Sequence, residues 1–349
     1  MIMARKAKLI GMTPAEMRGF CAQMGQPAFR AKQILAWIYQ QRCRNFQEMT
    51  NLPADWRARL PEQAVLFTTQ ILKRQQAADG TVKFLVGLRD GQAVETVLMR
   101  YAHGNSACVS AQVGCKMGCA FCASGLGGWQ RDLTAGEMME QVLWAQGEDG
   151  RVSHVVLMGT GEPLDNYDQV LKFLGLLHDP LTLGISLRRV TVSTAGLVPG
   201  IKRLANEKLP VTLAVSLHAA RDELRDRLVP INRRYPLREL LLACAEYEQS
   251  TGRRVTFEYA LFHGVNDGPQ DALALADLVR GRHVHVNLIR YNPVPELDWP
   301  PATESQTRTF AGWLEKAGVN ATVRRRLGLE IDAACGQLRR RQWEGGGRR

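Results

Sequence analysis

From residue 154 to 288 short apolar strands alternate with segments of helical periodicity, and this alternation restricts the fold more than any other feature of the chain. Strand-like runs occupy 154–158, 189–194, 212–217, 254–259 and 283–288, with helical stretches between them. Parallel strands need long crossovers, so repeated βα units predict an α/β protein with a parallel sheet or a partial barrel. In such folds functional groups gather on loops at the carboxyl ends of the strands. Those ends carry Gly161-Glu162-Pro163, Ser193-Thr194, Ser216-Leu217-His218 and Asn292-Pro293, and one mouth would collect them all.

Upstream of this region the pattern differs. Thr13-Pro14-Ala15-Glu16 is a capping box with proline at the first helical position, and Gly25 marks the stop. A second helix follows with Ala31, Ile34, Leu35 and Ile38 on one face. Arg30, Lys32, Arg42 and Arg44 lie on or beside it, either as a basic surface for an RNA backbone or as a solvated charged face. Asp79-Gly80 and Asp90-Gly91 are turn signals that separate strand-like runs at 82–88 and 93–99. The expected division is a helical RNA-binding accessory domain at 1–62, a β-hairpin or extended linker at 63–104, the barrel at 105–338 and a basic, Gly-rich tail at 339–349.

Lysine and arginine outnumber the acidic residues 45 to 34, giving a net charge of +11, which suits a polyanionic partner such as nucleic acid. The chain contains no run of eighteen apolar residues and no signal peptide, so a cytoplasmic protein without a membrane partner is expected. Eight cysteines stand at 21, 43, 108, 115, 119, 122, 244 and 335. Four of them crowd into fifteen residues of a long chain, which favours metal or redox chemistry over a disulfide framework. Cys21, Cys43 and Cys244 fall in helical patterns and read as structural thiols.

The strongest signal is Cys115-Lys-Met-Gly-Cys119-Ala-Phe-Cys122, three thiolates on one short loop. Such a loop can offer three corners to one 4Fe-4S cluster and leave one iron without a protein ligand. An open iron can take the amino and carboxylate groups of S-adenosylmethionine (SAM) beside a low-potential electron source. From spacing alone, a zinc site completed by a distant cysteine or histidine stays open.

The CxxxCxxC run, with an aromatic before its last cysteine, is the radical SAM signature. Ala107-Cys108-Val109-Ser110, Gln112-Val113-Gly114-Cys115, Leu157-Met158-Gly159-Thr160-Gly161-Glu162-Pro163-Leu164, Ser216-Leu217-His218-Ala219, Val229-Pro230-Ile231-Asn232 and Asp332-Ala333-Ala334-Cys335-Gly336-Gln337-Leu338 accompany it. Together they resemble the RlmN/Cfr family of radical SAM RNA adenine methyltransferases over about residues 11–340, closest in wording to RlmN. The N-terminal Phe29-Arg30-Ala31-Lys32-Gln33 and Trp37-Ile38-Tyr39 resemble the family's accessory domain.

The resemblance implies a partial barrel of the radical SAM type, a 4Fe-4S cluster on Cys115, Cys119 and Cys122, and two SAM molecules per turnover. One SAM would methylate Cys335; cleavage of the other would give a 5'-deoxyadenosyl radical that activates that methyl group. Cys108 matches the second cysteine, which frees the product through a transient disulfide, and Glu95 matches an acid-base carboxylate. Gly161 and Glu162 match the residues at the SAM amino end, with Ser193, Ser216, Leu217, His218 and Asn292 lining the rest. Large-subunit ribosomal RNA and tRNA would be the substrates and adenine C2 the target. An electron donor such as flavodoxin and a monomeric chain are implied as well. The alternatives are methylation at C8, as in the Cfr branch, and a zinc-containing RNA-binding module without catalysis. The chain departs from the pattern along 123–129, where relatives more often have glutamine and phenylalanine near Leu126 and Trp129, and at Arg290, where proline is usual.

Overall fold

Ten strands share one sheet. The computed structural model describes residues 6–328 and 331; the tail at 339–349 lies outside them. In chain order the strands are β1 (Gln70–Gln76), β2 (Val82–Gly87), β3 (Ala93–Tyr101), β4 (Gly104–Cys108) and β5 (Val152–Leu157). There follow β6 (Val190–Thr194), β7 (Thr212–Ser216), β8 (Val255–Leu261), β9 (Val284–Arg290) and β10 (Ala321–Val323). They lie side by side in that same order. From β4 to β10 each pairing is parallel, whereas β1 to β4 pair antiparallel.

Three helices precede the sheet: α1 (Pro14–Gln23), α2 (Phe29–Leu35) and α3 (Ala54–Gln63). The crossovers carry α4 (Ala135–Asp149), α5 (Tyr167–His178), α6 (Val198–Asn206), α7 (Asp222–Leu228), α8 (Leu237–Thr251), α9 (Pro269–Val279) and α10 (Glu304–Lys316). A spatial order equal to chain order means that each crossover steps the same way, and right-handed crossovers then put the helices on one face. The sheet curls inside them as an incomplete barrel, with β10 at one edge and the antiparallel strands at the other. The five strands expected from periodicity are all present, shifted by one or two residues at their ends.

The region at 63–104 contributes more than hairpins. Its strands pair with each other and, through β3, with β4, so they extend the barrel sheet. Every residue of β2 is buried, Lys83 included. That burial is tolerable because Lys83 Nζ lies 2.9 Å from Glu95 Oε2 on β3; removing one partner of such a pair strands a buried charge at a cost of about 3–5 kcal/mol.

In the N-terminal unit Ala31, Ile34, Leu35 and Ile38 are all buried, as their spacing requires. Gly25 follows α1 with φ +67°, the left-handed conformation that ends helices. Two of the arginines are spent on the protein itself. Arg42 donates to the carbonyl of Gln146, and the Arg44 guanidinium packs 4.2 Å from the Trp144 ring and 4.6 Å from the Phe67 ring. The link to the barrel is pinned by Glu140 of α4, whose carboxylate accepts the backbone N–H and the hydroxyl of both Thr68 and Thr69.

Helix α4 begins with a second capping box, Thr134 with Glu137. Burial pushes the Glu137 carboxyl up, but the Arg131 guanidinium and Thr134 outweigh it and leave it below its ordinary value. Arg131 also bonds Asp90 and lowers that carboxyl. A depressed carboxylate contributes stability that is complete above its unfolded pKa and lost as pH falls through the folded one. Urea unfolding should therefore show stability falling below about pH 4.5, and Arg131→Met should flatten the fall. An equally steep loss in the variant would refute this account.

Candidate active site

The carboxyl ends of the parallel strands meet the cysteine loop around a cavity of about 380 Å³. Cys115, Cys119 and Cys122 line it, together with Gly161, Glu162, Ser193, Ser216, His218 and Asn292. Cys108, at the end of β4, opens into the same space. Two expected residues lie elsewhere. Leu217 is fully buried, and its backbone N–H donates to the Glu258 carbonyl. Glu95, on the same face of β3 as the lining residues Val97 and Met99, is buried in its pair with Lys83 and does not itself line the cavity. Cys335 and the 332–338 motif lie outside the described residues.

The loop after β5 is shaped by what surrounds it. Gly161 has φ +105°, and a Cβ there would come within 2.5 Å of the Gln112 side chain. Glu162 then points inward. Its Oε1 accepts the Leu164 N–H at 3.0 Å, its Oε2 the Ala195 N–H at 2.7 Å, and its own N–H donates to Gln112 Oε1. One carboxylate thus joins the loops after β5 and β6. Burial pushes it up to about 7.

His218 is held with equal firmness. It adopts φ +57°, its Nδ1 accepts the Ala260 N–H at 2.9 Å, and its carbonyl accepts Asn266 Nδ2. Burial pulls the imidazole down to about 3, so the ring is neutral at physiological pH. The Phe121 ring, one residue before Cys122, meets it edge-on at 4.7 Å.

Among the described residues every cysteine is a free thiol. The disulfide implied by the resemblance is therefore not supported, because its one described member, Cys108, is unpaired. Burial pushes the Cys108 thiol up, against the neighbouring charges of Arg324 and Lys83. Burial likewise raises Cys115, to about 12, and Cys119. A cationic group is what such a trio needs before it can ionise.

The residues fit an iron-sulfur cluster. Three thiols share one loop and one cavity, and the charges around Cys108 are Arg324, Lys83 and Glu95 rather than that trio. Cys115 and Cys122 both act on the Cys119 thiol, so the three lie within electrostatic reach of one another.

Residues 7–66 match the model of the ribosomal RNA large subunit methyltransferase N-terminal domain, and residues 109–276 that of the radical SAM superfamily. A probable dual-specificity RNA methyltransferase RlmN of Desulforamulus reducens is 52% identical over 96% of this chain and 97% of its own. Another, of Pelotomaculum thermopropionicum, is 54% identical over 95% and 90%. The chain belongs to the RlmN family. A crystal structure of a radical SAM methyltransferase from Sphaerobacter thermophilus superposes with a TM-score of 0.92 at 46% identity, covering 95% of this chain and 98% of that one. Membership of the radical SAM superfamily brings a 4Fe-4S cluster and SAM as cofactors.

Several residues at this site escape a reading of motifs. Glu258, Arg324 and Arg326 line the cavity, and Arg326 donates to Asn292 Oδ1 at 2.8 Å. Arg225 lies beneath it, fully buried. The signal for Arg225 was its place between Leu224 and Leu228 on the apolar stripe of α7. An alanine at position 161 would need a strained backbone, costing about 1–3 kcal/mol. Gly161→Ala is expected to lower thermal stability and to weaken SAM binding about tenfold or more in calorimetric titration; unchanged SAM affinity would separate this loop from the cofactor site.

Proposed function

We propose that this chain methylates C2 of adenine in large-subunit ribosomal RNA and in tRNA, in the cytoplasm, as a monomer supplied with electrons by a flavodoxin-type donor. The observation that carries the reading is the shared cavity: the three-thiol loop, the strand-end loops and the Cys108 thiol all face it. The hydrogen on adenine C2 is not acidic and the carbon is electron-poor, so polar methyl transfer from a sulfonium has no route. The cluster and SAM, when bound, supply radical chemistry that has one.

In this reading Cys115, Cys119 and Cys122 hold three irons. Gly161 and Glu162 meet the SAM amino end, while Ser193, Ser216, Leu217, His218 and Asn292 complete the cofactor site. The neutral, fixed His218 ring offers a surface that neither adds charge nor moves. Cys335 carries the methyl group, which calls for two SAM molecules per turnover. Cys108 is the second thiol that frees the product, and Glu95, kept close to a cation by Lys83, serves acid-base transfer.

The test is anaerobic reconstitution, an iron and sulfide count, and nucleoside mass spectrometry of treated ribosomal RNA and tRNA. Four irons per chain and 2-methyladenosine are expected, by analogy with three-cysteine clusters of about four irons. 8-Methyladenosine would overturn the C2 assignment, and iron-free protein the whole reading. Cys108→Ala should accumulate RNA crosslinked to the protein through Cys335, visible as a shifted band; its absence counts against the two-thiol scheme.

A further inference from the structure

The Val229-Pro230-Ile231-Asn232 motif and the helix before it find no use among the groups that face the cavity. Arg225, on that helix, is fully buried directly behind the cofactor loops. Its Nη2 donates to the Ala195 carbonyl at 2.8 Å and the Ser216 carbonyl at 3.1 Å, its Nε to the Leu217 carbonyl at 3.1 Å, and its Nη1 to Asn232 Oδ1 at 2.8 Å. Three of those acceptors are the loop ends of β6 and β7, where Ala195 and Ser216 line the cavity.

Among the described residues none of these partners is a carboxylate. Asp222 and Asp226 are close, but Asn232 stands between: its Nδ2 donates to both, at 2.8 and 2.7 Å, while its oxygen faces the guanidinium. The neutral amide thus orients Arg225 and keeps both carboxylates out of direct contact with it, although their charges still reach the guanidinium, as does that of Cys119. Burial pulls the guanidinium down to about 10, which still leaves it charged at neutral pH.

Helix α7 also touches the cysteine loop. The Ala120 N–H, between Cys119 and Phe121, donates to the Leu228 carbonyl at 3.0 Å. Leu224, Leu228 and Val229 form the apolar bed on which Met117, Cys119 and Phe121 pack. The cation is therefore built into the floor of that loop, in a medium of low polarity where a charge acts over a long distance.

We propose that Arg225 is a positioning residue with two tasks: it clasps the loop ends of β6 and β7 into the SAM-binding shape, and its buried positive charge favours the reduced, more negative cluster. The proposal rests on the cluster reading above. Arg225→Gln removes the charge and most of the fork; Arg225→Lys keeps the charge and loses the fork.

The measurement is an anaerobic redox titration followed by electron paramagnetic resonance, with SAM affinity measured in parallel. For Arg225→Gln the reduced-to-oxidised ratio at fixed potential should fall about tenfold, a midpoint about 59 mV more negative for one electron, and SAM should bind more weakly. For Arg225→Lys the midpoint should stay near the parent's while SAM binding weakens. A parent-like midpoint in Arg225→Gln protein that holds its cluster overturns the electrostatic task, and parent-like SAM affinity in both variants overturns the clasp. Should Arg225→Gln not fold, Asn232→Ala frees one arm of the fork with the charge retained. It must then weaken SAM binding and, with the Asp222 and Asp226 carboxylates free to pair with the guanidinium, move the midpoint to more negative potential, or the proposal fails. Parent protein without iron would instead sink the cluster reading, a result distinct from all of these.

Discussion

Seven parallel strands in unbroken chain order, β4 to β10, impose a single direction on the molecule. Each crossover must return outside the sheet, so each strand delivers its carboxyl end to the same rim. The cysteine loop leaves β4 at that rim, and the loops of β5 to β9 surround it. The thiols of the short loop would not meet the strand-end residues without this geometry, since Cys115 and Asn292 are far apart in sequence.

The rim is then made rigid by polar groups that the interior cannot leave unpaired. Glu162 ties the β5 loop to the β6 loop, Arg225 ties β6 to β7, and Asn266 ties His218 to β8 through the Ala260 carbonyl. Each is buried, so each bond replaces a desolvation penalty rather than a bond to water. Bonds of this kind hold the rim in shape before any ligand enters. The same bonds make it brittle, because removing one partner leaves another polar group stranded.

Much of this was legible in the sequence. The period of the apolar runs located five strands, and the three-thiol loop and the strand-end residues were visible as motifs. What was not legible has physical causes. β2 reads as a linker strand because Lys83 breaks its apolar run, and only the cross-strand partner Glu95 reveals that the lysine is buried. Arg42 and Arg44 read as a basic surface because sequence does not show that Trp144 and the Gln146 carbonyl come to meet them. Leu217 is grouped with Ser216 and His218 by its place in the motif, and only the fold shows that its side chain turns into the core. In each case the deciding partner lies on another element.

The incomplete barrel has a consequence for a macromolecular substrate. A closed barrel fills its interior with side chains and confines access to its end. Here the parallel run stops at β10, and residues 324–327 join Val97 and Met99 of β3 along the cavity wall. Gly328, just beyond, donates its N–H to Asp79 at 2.8 Å, fastening the end of that segment to the turn between β1 and β2. The wall so formed carries Arg324, whose charge reaches both Cys108 and Glu258. This part of the wall carries arginines at 324–326 and is built from elements outside the parallel core. Two sets of elements therefore build the cavity: the parallel strands with the cysteine loop, and the antiparallel strands with residues 324–327.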